Sequence, residues 1–501
     1  MYFYRLQFIF KMKTKSIFFI VPFIFLTFNL LAQNSDSDKI LKNFHSISSH
    51  ELLEYAKELS SEKYKGRLSG SQEYLEVAKW CAGKFKEWGI QPANNGSYFQ
   101  YFPNEYSEVL SLGEVVYKNG KNTTMLNFPE DYLPGSNSAN GKVEAELVYV
   151  GHGITAPELD YDDYKNVDVK GKIIILESGT PYTKNNSILA KWTPYAYHRY
   201  KFRNAVKHGA AGMIYASKIA NPNTVNLNGF IYAHVDTKVV NKIFTDTGKN
   251  YDEVKKQLKN METPSFVLSS NQKVSIEAET KYFPNAKACN VVGMIEGSDP
   301  DLKDEVIIIG GHLDGQGQMG DVLFPGALDN ASGVADILGA AKALATSEIK
   351  PKRSILFILI GGEECGLYGA KHYCDNPLFP IDKTKMMMNL DMVGNGTGFF
   401  VTAGKTHTGL FKHFEAANNN YLHREMGTSE VRKNYGRPRS DASIFEDAGI
   451  KTFGLWTRGS VHPVYYHHPM DKINVLTPEI MEDAAKLLYI GVLGVSNDEN
   501  L

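Results

Sequence analysis

Five short stretches of this chain bring together imidazoles and carboxylates in the company of glycine or aromatic residues. Gly310-Gly311-His312-Leu313-Asp314 follows an apolar run, and Gly326-Ala327-Leu328-Asp329-Asn330-Ala331-Ser332-Gly333 precedes a helical pattern. Gly361-Gly362-Glu363-Glu364-Cys365-Gly366 and Asn389-Leu390-Asp391-Met392 each close a further apolar run, and Tyr465-Tyr466-His467-His468-Pro469-Met470-Asp471 lies before the last helical pattern. Imidazole and carboxylate without thiolate suit zinc, with manganese or cobalt as substitutes. Taken singly, each stretch has a plainer reading: His312 as a hydrogen-bonded residue at a strand end, Asp329 as the N-terminal cap of the helix that follows. Glu363 and Glu364 leave a strand in different directions, which suits one as a metal ligand and the other as a general base. Asp314, two residues beyond His312, is placed to hold that imidazole in its ligating tautomer. The three carboxylates of Asp329, Glu364 and Asp391 leave one formal charge of two divalent ions unbalanced, and a bridging hydroxide, a nucleophile suited to hydrolysis, would neutralise it.

These residues act together only if the elements carrying them end at one place. From Asp304 the pattern is strand, loop and helix, repeated: Glu305 to Ile309, a helix from about Ser332 to Ala345, Ser354 to Ile360, then Lys385 to Met392. Strands that are apolar almost throughout, alternating with helices, predict a buried, largely parallel sheet sandwiched by helices, an α/β fold. Ligands of such sheets bind beyond the carboxyl ends of the strands, where the motifs fall. Upstream, apolar positions Leu52, Leu53, Ala56 and Leu59, then Tyr74, Val77, Ala78 and Phe85, recur near a helical period until Trp88-Gly89-Ile90. From about Glu105 the texture becomes short alternating runs with turn signals, among them Glu146 to Val150 and Lys172 to Leu176, a separate β-rich insertion. The expected division is 1–33 a signal peptide, 34–104 the N-terminal helical part of the catalytic domain, 105–284 the insertion, and 285–501 the rest of the catalytic domain.

The chain has 501 residues, 43% hydrophobic and 22% charged, with 54 Lys plus Arg against 56 Asp plus Glu. A net charge of -2 gives no bulk field for nucleic acid or an anionic membrane, so neither is an expected partner. Lys11, Lys13 and Lys15 precede the apolar run Ile17 to Leu31, which ends before Gln33-Asn34-Ser35, as a cleaved export signal would. The run contains Pro22 and is shorter than the ~20 residues of a membrane span. The expectation is therefore an exported protein, periplasmic or secreted, without stable membrane insertion. Four cysteines, Cys81, Cys289, Cys365 and Cys374, are too few for a disulfide framework; a Cys81 to Cys289 pair stays open.

In combination the five motifs resemble the co-catalytic zinc peptidases that include bacterial leucyl-type aminopeptidases, aminopeptidase Y and glutamate carboxypeptidase, with transferrin receptor and glutaminyl cyclase as relatives. The resemblance runs from about Glu51 to the C-terminus. It implies two Zn2+ per chain, bridged by Asp329, with His312 and Asp391 completing one site and Glu364 and His467 the other. It further implies Glu363 as general base, and Tyr466 as the group that stabilises the tetrahedral oxyanion. Leu147 to Ile154, Asp162-Asp163-Tyr164, Val169 to Ile173 and Ala205 to Gly212 resemble a protease-associated domain, which implies a lid or substrate-access element. One departure is Arg439-Ser440-Asp441-Ala442-Ser443-Ile444-Phe445, where relatives often carry a histidine in place of Ala442 at the substrate pocket. Arg437 and Arg439 nearby suit a substrate carboxylate. The expected function is an aminopeptidase acting on peptides, with a carboxypeptidase or dipeptidase, a glutaminyl cyclase and a non-catalytic binding protein as alternatives.

Overall fold

The computed structural model describes residues 36–222, 227 and 229–501; the export-signal pattern lies outside them. Four strands, Ser354–Ile360, Val306–His312, Thr384–Leu390 and Thr452–Arg458, lie side by side and parallel in that order at the centre of a nine-stranded sheet. Their neighbours are antiparallel: Lys287–Ile295 beside Ser354–Ile360 on one side, Gly398–Val401 beside Thr452–Arg458 on the other. Val306–His312 and Ser354–Ile360 are buried at every residue, as strands with helices over both faces must be.

Alternation along the strands sorts the core into two layers. Ile307, Ile309, Phe357, Met388 and Leu455 point to one face, where they pack against helices Ser49–Leu59, Gln72–Glu87, Gly333–Thr346, Thr408–Ala417 and Pro478–Asn497. Ile308, Leu356, Ile358 and Met387 point to the other, against Ala370 and Tyr373 of helix Tyr368–Asp375 and Phe445 of helix Asp441–Asp447. The N-terminal helical pattern thus covers a sheet whose central parallel strands come more than two hundred residues later.

The middle of the chain builds a second, eleven-stranded sheet with its own cores. Tyr106–Asn119 pairs along most of its length with Gln272–Phe283, so the insertion leaves and returns on adjacent antiparallel strands. Within it Gly141–Tyr149, Ile173–Leu176, Gly212–Tyr215 and Ile231–Val235 run parallel. The hairpin of Gln318–Met319 and Val322–Leu323, from the loop between His312 and Asp329, adds to the edge of this sheet and ties it to the catalytic loops.

All four cysteines are free, so the open question of Cys81 and Cys289 resolves as two buried thiols. Among the described residues no helix is long and apolar enough to cross a membrane.

Gly311 shows how tightly the strand ends are packed. A Cβ there would meet the Leu390 carbonyl oxygen of the next strand inside van der Waals contact, and backbone cannot yield as a side chain can. Gly311→Ala should therefore lower the unfolding free energy by about 2 kcal/mol or more in denaturant titration, whereas the same change at exposed Gly83, a helical glycine whose Cβ would meet nothing, should not.

Candidate metal centre

Each central parallel strand but one hands an acid or an imidazole to the same edge. His312 is the last residue of its strand, Glu363 and Glu364 follow Ser354–Ile360 after the turn at Gly361-Gly362, and Asp391 follows Thr384–Leu390 directly. Asp329 sits four residues ahead of helix Gly333–Thr346, whose cap position is Ser332, so the cap reading of Asp329 is replaced by another task. Its Oδ1 lies 3.2 Å from His312 Nε2 and its Oδ2 3.5 Å from His467 Nε2. His312 Nε2 is also 3.5 Å from Asp391 Oδ1, and His467 Nε2 is 3.0 Å from Glu364 Oε2. Two groups of three potential donors result, His312 with Asp391 and His467 with Glu364, and Asp329 belongs to both. Glu363 stands beside them, grouped with His312 and Glu364.

Backbone carbonyls set the two imidazoles. His312 Nδ1 lies 3.2 Å from the Asp314 carbonyl oxygen, and His467 Nδ1 2.9 Å from that of Ala220. A carbonyl only accepts, so Nδ1 carries the proton in both rings and Nε2 presents its lone pair to the cluster. The main chain of Asp314 therefore does what its side chain was expected to do. The Asp314 carboxylate, 3.9 Å from the ring, instead accepts from the amides of Glu363 at 3.1 Å and Glu364 at 3.2 Å, fixing the turn that aims the two glutamates. Asp471 repeats the device: its oxygens accept from the amides of Leu328 at 2.9 Å and Asp329 at 3.0 Å. Asn330 joins the strand ends by donating to the Leu390 and His312 carbonyls and accepting from the Met392 amide.

Sequence reasoning missed Arg67. Only 1% exposed, it donates from Nε to the Leu313 carbonyl, from Nη1 to those of Leu59 and Pro325, and from Nη2 to that of Gly326. Four carbonyls from three segments thus share one guanidinium, which clamps the loops that carry His312 and Asp329. A lone arginine in Lys65-Gly66-Arg67 offers no periodic or motif signal for that role. Ala220 was equally hidden, because a backbone carbonyl leaves no trace in side-chain type.

Burial pushes the Glu363 carboxyl well above its ordinary value, with Glu364, Asp441 and Asp391 adding to the shift against the pull of His312. Asp441, 1% exposed, is pushed up to about 8 by burial and neighbouring carboxylates, and neither of its oxygens has a hydrogen-bond partner. Tyr466 stacks on His467 with ring centroids 3.8 Å apart, and after burial it is the carboxylates of Glu364, Asp329, Glu363 and Asp391 that raise its phenol. His468 turns away, its Nδ1 accepting from the Met470 amide at 3.1 Å. So much converging carboxylate around two imidazole Nε2 atoms, that of His467 without a hydrogen-bond partner, fits a site for divalent cations and fits a purely hydrogen-bonded core poorly.

Two chambers share a wall, and the smaller adjoins the cluster at Asp391. One of about 410 Å³ is walled by Leu328, Asp391, Met392, Leu455 and Val464. A larger one of about 560 Å³ lies between the insertion and the catalytic domain, and Thr402, Ser440, Ala442 and Trp456 line both. Arg437 and Arg439 line the larger.

Residues 290–490 match Peptidase family M28, and residues 143–248 match the PA domain. Leupeptin-inactivating enzyme 1 of Streptomyces exfoliatus is 31% identical over 175 residues, 34% of this chain and only 36% of that protein's length. Aminopeptidase YwaD of Bacillus subtilis (strain 168) is 26% identical over 357 residues, 68% of this chain and 67% of that one. The crystal structure of BSAP, a zinc aminopeptidase from Bacillus subtilis, superimposes with a TM-score of 0.56 at 20% identity, covering 89% of this chain and 95% of that one, which shows a shared fold.

Two outcomes follow from the site. Arg67→Met should lower the unfolding free energy by about 3 kcal/mol in denaturant titration, since buried carbonyls lose a charged donor. Chelated protein should lose thermal stability as pH rises from roughly 5 to 8. Asp441 at about 8 and Asp314 at about 7 keep protons in the folded chain that the unfolded chain, titrating near pH 4, has released. Burial alone would lower His312 and His467, but their carboxylate neighbours raise both, which acts in the same direction. Saturation with a divalent cation should flatten that slope.

Proposed function

We propose that this chain, whose residues 290–490 match Peptidase family M28 and residues 143–248 the PA domain, is a zinc exopeptidase of that family that shortens peptides from their amino ends. The observation that carries this reading is the Asp329 carboxylate, shared between a His312–Asp391 pair and a His467–Glu364 pair with a further carboxylate, Glu363, alongside. His312, Asp329 and Asp391 would hold one Zn2+ and His467, Asp329 and Glu364 the second, since imidazole and carboxylate are ligands zinc accepts. Zinc bound there supplies Lewis acidity toward a carbonyl oxygen and lowers the pKa of water.

The protein's own groups supply the rest. Glu363, with its amide fixed by Asp314 and its carboxyl raised by burial and crowding, is matched to take a proton from the attacking water and return it to the departing amine. Tyr466, next in sequence to His467 and stacked on it, presents a neutral phenol that can donate to the developing oxyanion. The partly exposed carboxylates of Glu363 and Asp391 favour the ammonium of a free amino terminus over a free carboxylate. The apolar chamber beside Asp391 suits the side chain of the first residue. On the pattern from Lys11 to Ala32, this work is done outside the cytoplasm, in the periplasm or beyond.

Digestion of a peptide library read by mass spectrometry should give ladders shortened from the amino end, with amino-acetylated peptides resistant; shortening from the carboxyl end would contradict the reading. Glu363→Gln should keep its zinc yet lose roughly 10²–10⁴-fold in kcat.

A further inference from the structure

The larger chamber, which the smaller one separates from the metal centre, carries a charge pattern opposite to that of the centre. Its wall on the catalytic side is the segment 431–440, which brings Arg432, Lys433, Arg437 and Arg439, and the insertion adds Lys255 and Lys259. Lys255 is paired with Asp252 at 2.8 Å. For Arg432, Lys433, Arg437, Arg439 and Lys259 no carboxylate lies within ion-pair distance among the described residues. The two carboxylates that line the chamber are otherwise engaged. Glu177 accepts from Tyr251 at 2.6 Å and Tyr149 at 3.3 Å, and Glu446 accepts from the Thr452 amide at 2.9 Å and stands 3.5 Å from His407 Nε2. Arg437 is partly buried and close enough to Arg439 for the two guanidinium groups to repel.

The segment is also held in place from the insertion. Thr193 Oγ1 donates to the Tyr435 carbonyl and Tyr197 Oη to that of Gly436, each at 3.0 Å, so the arginines are set by both halves of the molecule. A partly buried guanidinium, Arg437, held beside the exposed Arg439 without a counter-ion is costly unless a ligand brings the charge. Trp456, stacked on Phe400 and 39% exposed, forms a flat wall common to both chambers.

We propose that this chamber is a subsite for carboxylate groups of the peptide substrate, with Arg437 and Arg439 as its specificity-determining residues, so that the enzyme favours acidic peptides. It rests on the reading that the metal centre takes a peptide by its amino end. The apolar chamber of about 410 Å³ intervenes between the metal cluster and the arginines. A side chain of the first residue is too short to cross it, and at ~3.5 Å per extended residue the carboxylates that reach the arginines belong to the second to fourth residues or to the carboxyl end of a short peptide. The acidic metal centre and the basic chamber then orient the substrate, ammonium inward and carboxylates outward.

The test uses leucine-led pentapeptides with Glu or Gln at the third and fourth positions, each with a free or an amidated carboxyl end. Cleavage is followed by mass spectrometry. Binding is measured by calorimetry on the zinc-loaded full chain, using the same peptides with D-leucine first so that they resist hydrolysis. The expected result is at least tenfold tighter binding and higher kcat/KM for Glu over Gln, carried by KM, with both ratios falling to within twofold in Arg437→Met/Arg439→Met and in high salt. A gain for free over amidated Gln peptides would assign the terminal carboxylate as a second source of the same charge. Glu and Gln peptides binding equally, with amidation also without effect, would overturn the inference, as would a double variant that keeps the preference. Discrimination in binding without shortening from the amino end would retain the subsite and remove the aminopeptidase reading; amino-end shortening without discrimination would do the reverse.

Discussion

One carboxylate faced by two imidazoles is the arrangement on which the rest of this structure depends. Asp329 is 6% exposed and lies within 3.5 Å of an imidazole nitrogen on each side. A group so buried keeps its charge only if its surroundings are fixed in advance. The fixing comes from beneath: Asp471 on its own amide, Arg67 on the loop before it, Asn330 between the strands beside it. None of these touches the face where a substrate would enter. The stability of the strand ends and the geometry of the site are therefore the same physical problem.

Four residues of the cluster, His312, Glu363, Glu364 and Asp391, were legible in the sequence because strand ends were legible; Asp329 and His467 lie on loops and were legible only through the combined motifs. Apolar runs such as Val306 to Ile309 and Ile355 to Ile360 announce buried parallel strands, and whatever follows them must emerge at one edge. What the sequence could not carry was the support. Arg67 gathers carbonyls from residues up to about 260 positions away, and Ala220 acts through its backbone, so neither leaves a local pattern. Asp314 was seen but assigned to the wrong partner: its proximity to His312 in sequence suggested the ring, whereas the fold turns its carboxylate to the amides of Glu363 and Glu364 and leaves the ring to its carbonyl. Asp441 and Ala442 were visible only as a broken pattern; the structure puts Asp441, buried, beside the cluster and Ala442 on the wall between the two chambers.

The insertion is part of the site and more than a cover over it. Its Ala220 carbonyl sets the tautomer of His467, its Thr193 and Tyr197 hold the arginine-bearing segment, and its sheet receives the hairpin between His312 and Asp329. Two domains with separate cores thus share a cleft whose charge changes sign along its length.

Equilibrium zinc binding tests the shared carboxylate most directly, because it reads the centre without requiring turnover. The protein should hold two zinc ions per chain, His312→Ala and His467→Ala should each retain one, and Asp329→Asn should weaken both. Saturation of the unaltered protein at a single ion, or an Asp329→Asn variant that holds two as tightly as before, would contradict the account.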